Sequence, residues 1–171
     1  MMEIRFFVPG VPAPGGSKQS RVNPQFVKAM QNGQKFTGPQ TFTYDDAKRN
    51  KAWRESVAMV ARSSYKGAPL IGPLSLSVTF VMPRPRYHYG TGRNARVLKP
   101  DAPKWHTTAP DTTKLLRSTE DALKGLVWVD DCLVAIQNAS KLYGDEAGAL
   151  VIVETIMDEE RFLLTPGRGG E

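Results

Sequence analysis

Acidic and basic side chains are concentrated between residues 109 and 135. Asp111 lies at a predicted helix start, Arg117 and Asp121 follow on that helix, and the pair Asp130 and Asp131 comes after it. Breaking a phosphodiester at neutral pH usually requires Mg²⁺ or a similar ion, and carboxylates hold such ions because they are hard oxygen ligands. The stretch therefore has the residue types of a metal-dependent nuclease site.

Helix geometry limits which of these acids can share one ion. Asp111 and Asp121 lie about 15 Å apart along the helix axis, so they cannot bind the same metal within one chain. Asp131 can approach Asp111, because the helix is about 20 Å long and the segment after it reaches about 23 Å when fully extended. Arg117 lies about 9 Å along the helix from Asp111, and its side chain leans back toward the helix start. It can therefore contact a phosphate that the helix N-terminus attracts.

Each of these residues also has an ordinary structural explanation. Asp111 suits a helix N-cap, and Asp130 with Asp131 suits a turn before a strand. Asp121 and Arg117 are four positions apart, which is the spacing of a surface ion pair on a helix. Spacing alone leaves these alternatives open, with a nuclease as the leading hypothesis.

The elements that must position these residues form an α+β pattern. Strict alternation predicts a strand over residues 74–82, with the even-numbered apolar residues facing the core. Further strands are predicted at 3–8, 132–143 and 147–156, and helices at 43–64 and 112–124, the second ending at Gly125. The predicted order is β-α-β-α-β-β, a mixed sheet with two helices. Residues 9–42 are expected to be largely irregular, with room for a hairpin.

Composition favours one domain with a polyanionic partner. The chain has 171 residues and a net charge of +6, with a pI near 9.5. We expect a single domain over residues 1–156 and a flexible tail over 157–171. No stretch approaches the ~18 apolar residues that a membrane span needs, and the single Cys132 fits a reducing, cytoplasmic setting.

A basic segment, residues 83–110, carries most of this charge. It contains six cations and one acid, with aromatic residues between them. Cations neutralise phosphates and aromatic faces stack on unpaired bases, so the segment is a candidate DNA-binding surface, although a solvated charged loop would look the same. The candidate DNA contacts in this segment and in the irregular segment 9–42 are Lys18, Arg21, Arg84, Arg86, Arg93 and Arg96. The two His residues lie too far apart, with no Cys cluster, to predict a zinc site.

The acidic stretch resembles the core motif of the RusA family, the Holliday-junction resolvases of bacteria and phages. The family pattern is roughly P-D-x-D-N/K-L-x-K/R, three variable residues, D-A-L, a short stretch ending in an aromatic, then D-D-x-x-V. This chain matches it at Pro110, Asp111, Lys114, Leu115, Arg117, Asp121, Ala122, Leu123, Trp128, Asp130, Asp131 and Val134. The N-terminal strand followed by VPGVPAP resembles the family's opening, and Lys141 matches a basic position often found there.

The resemblance implies a homodimeric, Mg²⁺-dependent endonuclease, with Mn²⁺ as a possible substitute. Such enzymes resolve four-way and related branched DNA by paired symmetric nicks in recombination and repair. They act in the cytoplasm of a bacterial or phage-infected cell and need no small-molecule cofactor. Carried over by position, Asp111, Arg117 and Asp131 would be catalytic, and Asp111 and Asp131 would bind metal with Asp130 beside them. Lys114 and Lys141 would join the DNA contacts.

Thr113 departs from the family pattern, because an Asp is expected at this position. A neutral hydroxyl is a much weaker ligand for a hard dication than a carboxylate. Three explanations stay open: Thr113 contributes to the metal directly or through water, activity is reduced or dependent on Mn²⁺, or the protein binds branched DNA without cutting it.

Overall fold

Six strands and three α-helices make up the part of the chain that the computed structural model describes, residues 2–15, 19–44 and 47–156. The strands are β1 (Glu3–Pro9), β2 (Gln19–Val22), β3 (Thr41–Tyr44), β4 (Leu74–Pro83), β5 (Val134–Gly144) and β6 (Gly148–Thr155). The helices are α1 (Pro24–Gln31), α2 (Ala47–Ser64) and α3 (Thr112–Leu123). Lys18 and the predicted tail, residues 157–171, lie outside the described residues.

The main sheet has four strands in the order β1-β6-β4-β5. β6 pairs antiparallel with both β1 and β4, whereas β5 pairs parallel with β4, so the sheet is mixed as predicted. β5 forms one edge. Strands β2 and β3 form a separate antiparallel pair, but helix α1 lies between them in the chain, so the pair is not a simple hairpin.

One hydrophobic core lies between the main sheet and helices α2 and α3, which pack on each other and on the sheet. Alternate residues of β4 enter this core as predicted, with Phe80 fully buried. Trp53 of α2 and Leu115 and Leu123 of α3 meet them from the helix side. Burial of these large apolar side chains is the main force that holds α3 against α2 and the sheet.

The predicted order and helix count need correction. Residues 24–31 form α1, so there are three α-helices among the described residues, and the β2-α1-β3 unit stands between β1 and α2. The signal was local: Asn23 caps the helix by accepting from the Gln25 amide at 3.0 Å, and Pro24 occupies the first turn. Helix α2 begins at Ala47 rather than at residue 43, because Thr41–Tyr44 is strand β3.

Helix α3 connects the two parallel strands β4 and β5. A crossover helix between parallel strands runs opposite to both of them, so it starts at the edge of the sheet where β4 ends and finishes where β5 begins. Three contacts follow this direction. The Lys141 ammonium, near the end of β5, donates a hydrogen bond to the carbonyl of Pro110, just before α3. The Gln137 side-chain amide donates to the carboxylate of Glu120, late in α3, and Lys124, just after α3, forms an ion pair with Asp130.

Candidate active site and nucleic-acid interface

Asp111 occupies the N-cap position of α3 but does not cap it with its side chain. Its backbone carbonyl accepts from the Leu115 amide at 3.2 Å, whereas the side chain makes no capping hydrogen bond. The carboxylate instead lies 2.9 Å from the Lys114 ammonium and is exposed. The hydrogen bond from Lys114, with a smaller contribution from the charge of Lys141, lowers the pKa of Asp111. Asp111 is therefore an ionised, accessible carboxylate at a helix N-terminus.

Basic groups surround this end of α3. The Lys141 ammonium donates to the carbonyls of Thr108 and Pro110, which ties β5 to the segment that leads into the helix. Thr113 and Arg117 are exposed on the first two turns. The combination of positive helix end, Lys114, Arg117 and Lys141 suits a phosphate group.

Asp130 and Asp131 lie at the other end of α3 and share one lysine. The Lys124 ammonium is 2.8 Å from Asp130 Oδ2 and 3.7 Å from Asp131 Oδ2. Asp130 also accepts from the Cys132 amide at 3.1 Å and so begins the 3₁₀ turn Asp131–Leu133. The bond from Lys124, followed by the Cys132 amide, lowers the pKa of Asp130 to about 2.

Trp128 holds the second of these acids. Its indole Nε1 donates to Asp131 Oδ1 at 2.9 Å, and the ring itself is fully buried. The buried ring gives the bond a rigid donor, while Asp131 remains about one-third exposed. Asp131 is therefore a preoriented carboxylate facing solvent.

The structure does not bring Asp111 and Asp131 together within one chain, so the geometric prediction was wrong on this point. Helix α3 has 12 residues, a length of about 18 Å, and the two acids lie at its opposite ends. The segment after α3 is long enough to return, but it leads directly into β5, which starts at the far edge of the sheet.

The residues of one chain consequently do not fit a divalent metal. Among the described residues, no three Asp, Glu, His or Cys side chains are close enough to hold an ion. A lysine ammonium also lies at each end: Lys114 beside Asp111, and Lys124 beside Asp130 and Asp131. Thr113 adds only a neutral hydroxyl. Asp121 pairs weakly with Arg54, at 3.9 Å, rather than with Arg117.

Sequence reasoning missed Glu120. It is half-buried on α3, where burial and then the charge of Asp131 raise its pKa, and it accepts a bond from the Gln137 amide. The available signal was the acidic pair Glu120 and Asp121 directly before the Ala-Leu of the motif. Glu120 adds a further carboxyl group near Asp131.

The basic segment contains both structural and accessible residues. Arg84 is partly buried, donating to the carbonyls of Pro103 and Tyr143 at 3.0 and 3.4 Å. His88 is buried against Tyr143, so it cannot stack on a base. The accessible members are Arg86, Arg93, Arg96, Tyr87 and Trp105. Arg21 lies in β2, and Lys18 lies outside the described residues.

Comparison with protein families supports the resemblance that the motif suggested. The family described as "Endodeoxyribonuclease RusA" matches residues 16–154. The chain belongs to the RusA family of endodeoxyribonucleases. The match includes every residue of the acidic stretch, so the family recognition is confirmed. At family level this supports a nuclease that resolves Holliday junctions, and RusA resolvases generally depend on a divalent metal.

One curated relative is also similar. The chain is 28% identical over 114 residues to "Uncharacterized protein YqaN" of Bacillus subtilis (strain 168). The match covers 65% of this chain and 78% of that protein. Within the described part of the chain, no helix is long and apolar enough to span a membrane.

Proposed function

We propose that this chain is an active resolving endonuclease that cuts four-way and related branched DNA by paired symmetric nicks. The main support is the family match over residues 16–154 together with an accessible, ionised Asp111 at a basic helix terminus. The proposal includes a homodimer, a requirement for Mg²⁺ or Mn²⁺, and a role in recombination and repair within bacteria or their phages.

The basic end of α3 would bind the backbone of the strand to be cut. The free N–H groups at the helix start and Lys114 attract a phosphate oxygen, and Arg117 is close enough to neutralise charge that develops on it. Lys141 keeps the segment before α3 in place through two carbonyl bonds. Because the acids of one chain do not form a metal site, we assign no metal-bound step to a single subunit.

The exposed arginines would extend this surface along the DNA arms. Arg86, Arg93 and Arg96 have no acidic partner among the described residues, so their charges remain available for phosphates. Tyr87 and Trp105 are exposed aromatic side chains, and such rings can stack on bases unpaired at the junction centre.

A second candidate is a weakly active or non-catalytic binder of branched DNA. Thr113 favours it, because this residue occupies the position at which the family motif has an Asp. Under this hypothesis the chain would bind four-way junctions tightly in EDTA, and it would leave them uncut when Mg²⁺ or Mn²⁺ is added.

The test is cleavage of a labelled mobile four-way junction in Mg²⁺, in Mn²⁺ and in EDTA. Wild type is expected to cut in at least one metal and not in EDTA, whereas Asp131→Asn is expected to lose at least 100-fold in rate. Glu55→Gln, an exposed acid on α2, is the charge-matched control and should cut normally. Absence of cutting in both metals, or equal cutting by Asp131→Asn, would overturn the proposal.

A further inference from the structure

An open groove lies at the edge of the sheet where strands β1 and β4 both end. Its volume is about 830 Å³, within the range of about 300–1,000 Å³ that is typical of ligand-binding pockets. The segment after β1, residues 9–14, forms one side of it. The other lining residues come from α2, the end of β4 and the approach to α3, and include Arg49, Ala52, Ser56, Met82, Ala109 and Pro110.

The groove is apolar apart from one cation. Four of its lining residues are prolines, and Arg49 is the one charged residue among the lining residues that the structure describes. Arg49 is exposed, so its charge is available to a bound molecule. Trp53 lies beneath the groove but is only 3% exposed, so it belongs to the core and a bound molecule would contact the walls instead.

The wall formed by residues 9–14 is fixed at both ends. The Gly10 amide donates to the Ala147 carbonyl at 3.0 Å, and the Gly15 amide donates to the Lys114 carbonyl at 2.9 Å. Pro12 and Ala13 are buried between these two bonds, and each proline of the wall has a restricted backbone angle φ. The groove is therefore preformed, and its wall continues directly onto the first turn of α3.

We propose that this groove binds one unpaired base of the branched DNA, next to the phosphate held at the start of α3. The inference rests on the proposed function, because it requires DNA bound beside Asp111. Pro110 lines the groove and directly precedes Asp111, and the Cα atoms of consecutive residues are about 3.8 Å apart. A strand whose phosphate lies at the start of α3 therefore has the groove within reach of an adjoining base.

A nucleobase matches this groove better than a phosphate does. Every base has a π-face that can lie against apolar side chains, and proline and alanine supply such a surface here. A phosphate in the same place would lose its water and gain only Arg49 as a partner, which is unfavourable for a charged group. At the rim, Arg49 instead suits the negative backbone on either side of the base.

Such a groove would favour branched DNA over an intact duplex. A base must leave the stack and lose its pairing partner to enter the groove, and this costs least where pairing is already interrupted. Wild type should therefore bind a duplex with one mismatched pair more tightly than a perfect duplex, and filling the groove should remove this difference.

Fluorescence of 2-aminopurine tests the position of the base. The probe is a four-way junction with a fixed branch point that carries 2-aminopurine in turn at each nucleotide beside that point, bound by the protein in EDTA. Fluorescence should rise at one position relative to the branch point, because stacking on neighbouring bases quenches this analogue. Ser56→Phe, which fills the groove, should abolish the rise and weaken junction binding about tenfold, comparable to the loss of one stacked base.

Ser63→Phe is the matched control. Both serines lie on α2, and each hydroxyl donates to a backbone carbonyl one turn earlier in the helix. Ser63 lies outside the groove lining, so its variant should keep both the fluorescence rise and the affinity. Ala52→Phe fills the groove from an exposed position, where the added ring leaves the core intact. Melting temperatures show that each variant is folded.

Two results would overturn the base site. One is the absence of a rise at every position, which is also expected if the groove holds a peptide, and the other is a rise that persists in both Ser56→Phe and Ala52→Phe. Neither result depends on cleavage. If wild type cuts nothing but the rise requires an open groove, the proposed activity fails and the base site stands. If wild type cuts junctions without any rise, the base site is wrong and the proposed activity stands.

Discussion

Replacing Trp128 with Phe isolates the hydrogen bond that orients the Asp131 carboxylate. The matched control is Trp53→Phe, because Trp53 is also buried and its indole also donates, to Thr119 Oγ1 at 3.3 Å. Both variants lose a similar volume of ring from the core. They differ in the acceptor, which is a charged carboxylate at 2.9 Å for Trp128 and a neutral hydroxyl for Trp53.

The acceptor sets the expected difference in stability. A hydrogen bond to a charged group contributes about 1.5–3 kcal/mol and a neutral one about 1 kcal/mol. Because Asp131 is about one-third exposed, water compensates its carboxylate for part of the lost hydrogen bond, so the lower end of the range, about 1.5 kcal/mol, applies to Trp128. Trp128→Phe should therefore be about 0.5 kcal/mol less stable than Trp53→Phe, a difference in Tm of about 1–2 °C for a chain of this size.

Calorimetry and junction cleavage would be measured on both variants. Only Trp128→Phe should also lose cleavage rate at a temperature where both are folded, since Asp131 is then free to rotate. Equal Tm values together with unchanged cleavage in Trp128→Phe would refute the positioning role that we assign to Trp128.

Three further changes have defined outcomes. Lys124 holds the pKa of Asp130 at about 2, so the ionised carboxylate stabilises the fold above its ordinary pKa of 3.8 and loses that effect as pH falls toward 2. Lys124→Met should therefore raise the pKa of Asp130, measured by carboxyl NMR, and shift acid unfolding to higher pH. Thr113→Asp should raise junction cleavage about tenfold or more by adding a carboxylate beside Asp111. Arg93→Ala and Arg96→Ala should each lower the salt dependence of junction binding by about one phosphate contact, measured by titration at several salt concentrations.

Each of these changes has a control and a contradicting result. Lys51→Met, which removes the exposed partner of Glu55, should leave the pKa of Asp130 unchanged, and an equal rise in both variants would contradict the Lys124 contact. Thr112→Asp adds the same charge to the same helix turn, so a gain there as large as in Thr113→Asp would point to the helix dipole instead of a ligand. An unchanged salt slope in both arginine variants would remove this part of the basic segment from the DNA surface.

Local patterns in the sequence predicted the local structure. The alternation of β4, the position of Asp111 at the start of α3 and the stop at Gly125, whose φ is +73°, all depend on nearby residues and were confirmed. Helix α1 was missed because it has only eight residues, too few for apolar periodicity to stand out, although Asn23 and Pro24 mark its start.

The position of Asp131 depends on topology, which chain length does not determine. Extended reach allowed Asp131 to return to Asp111, but parallel pairing of β4 with β5 requires α3 to cross the sheet and leaves the next strand starting at the far edge. Residue spacing likewise could not predict the hydrogen bond from Trp128 to Asp131, because that bond depends on the orientation of the buried indole.

The most direct measurement maps the cuts on a four-way junction labelled in turn on each strand, beside a linear duplex of the same sequence. The account predicts, with Mg²⁺ or Mn²⁺, two nicks at symmetric positions on opposing strands of the junction and an intact duplex. Equal cutting of duplex and junction, or no cutting of the junction while it is bound, would contradict the central claim that this chain resolves branched DNA.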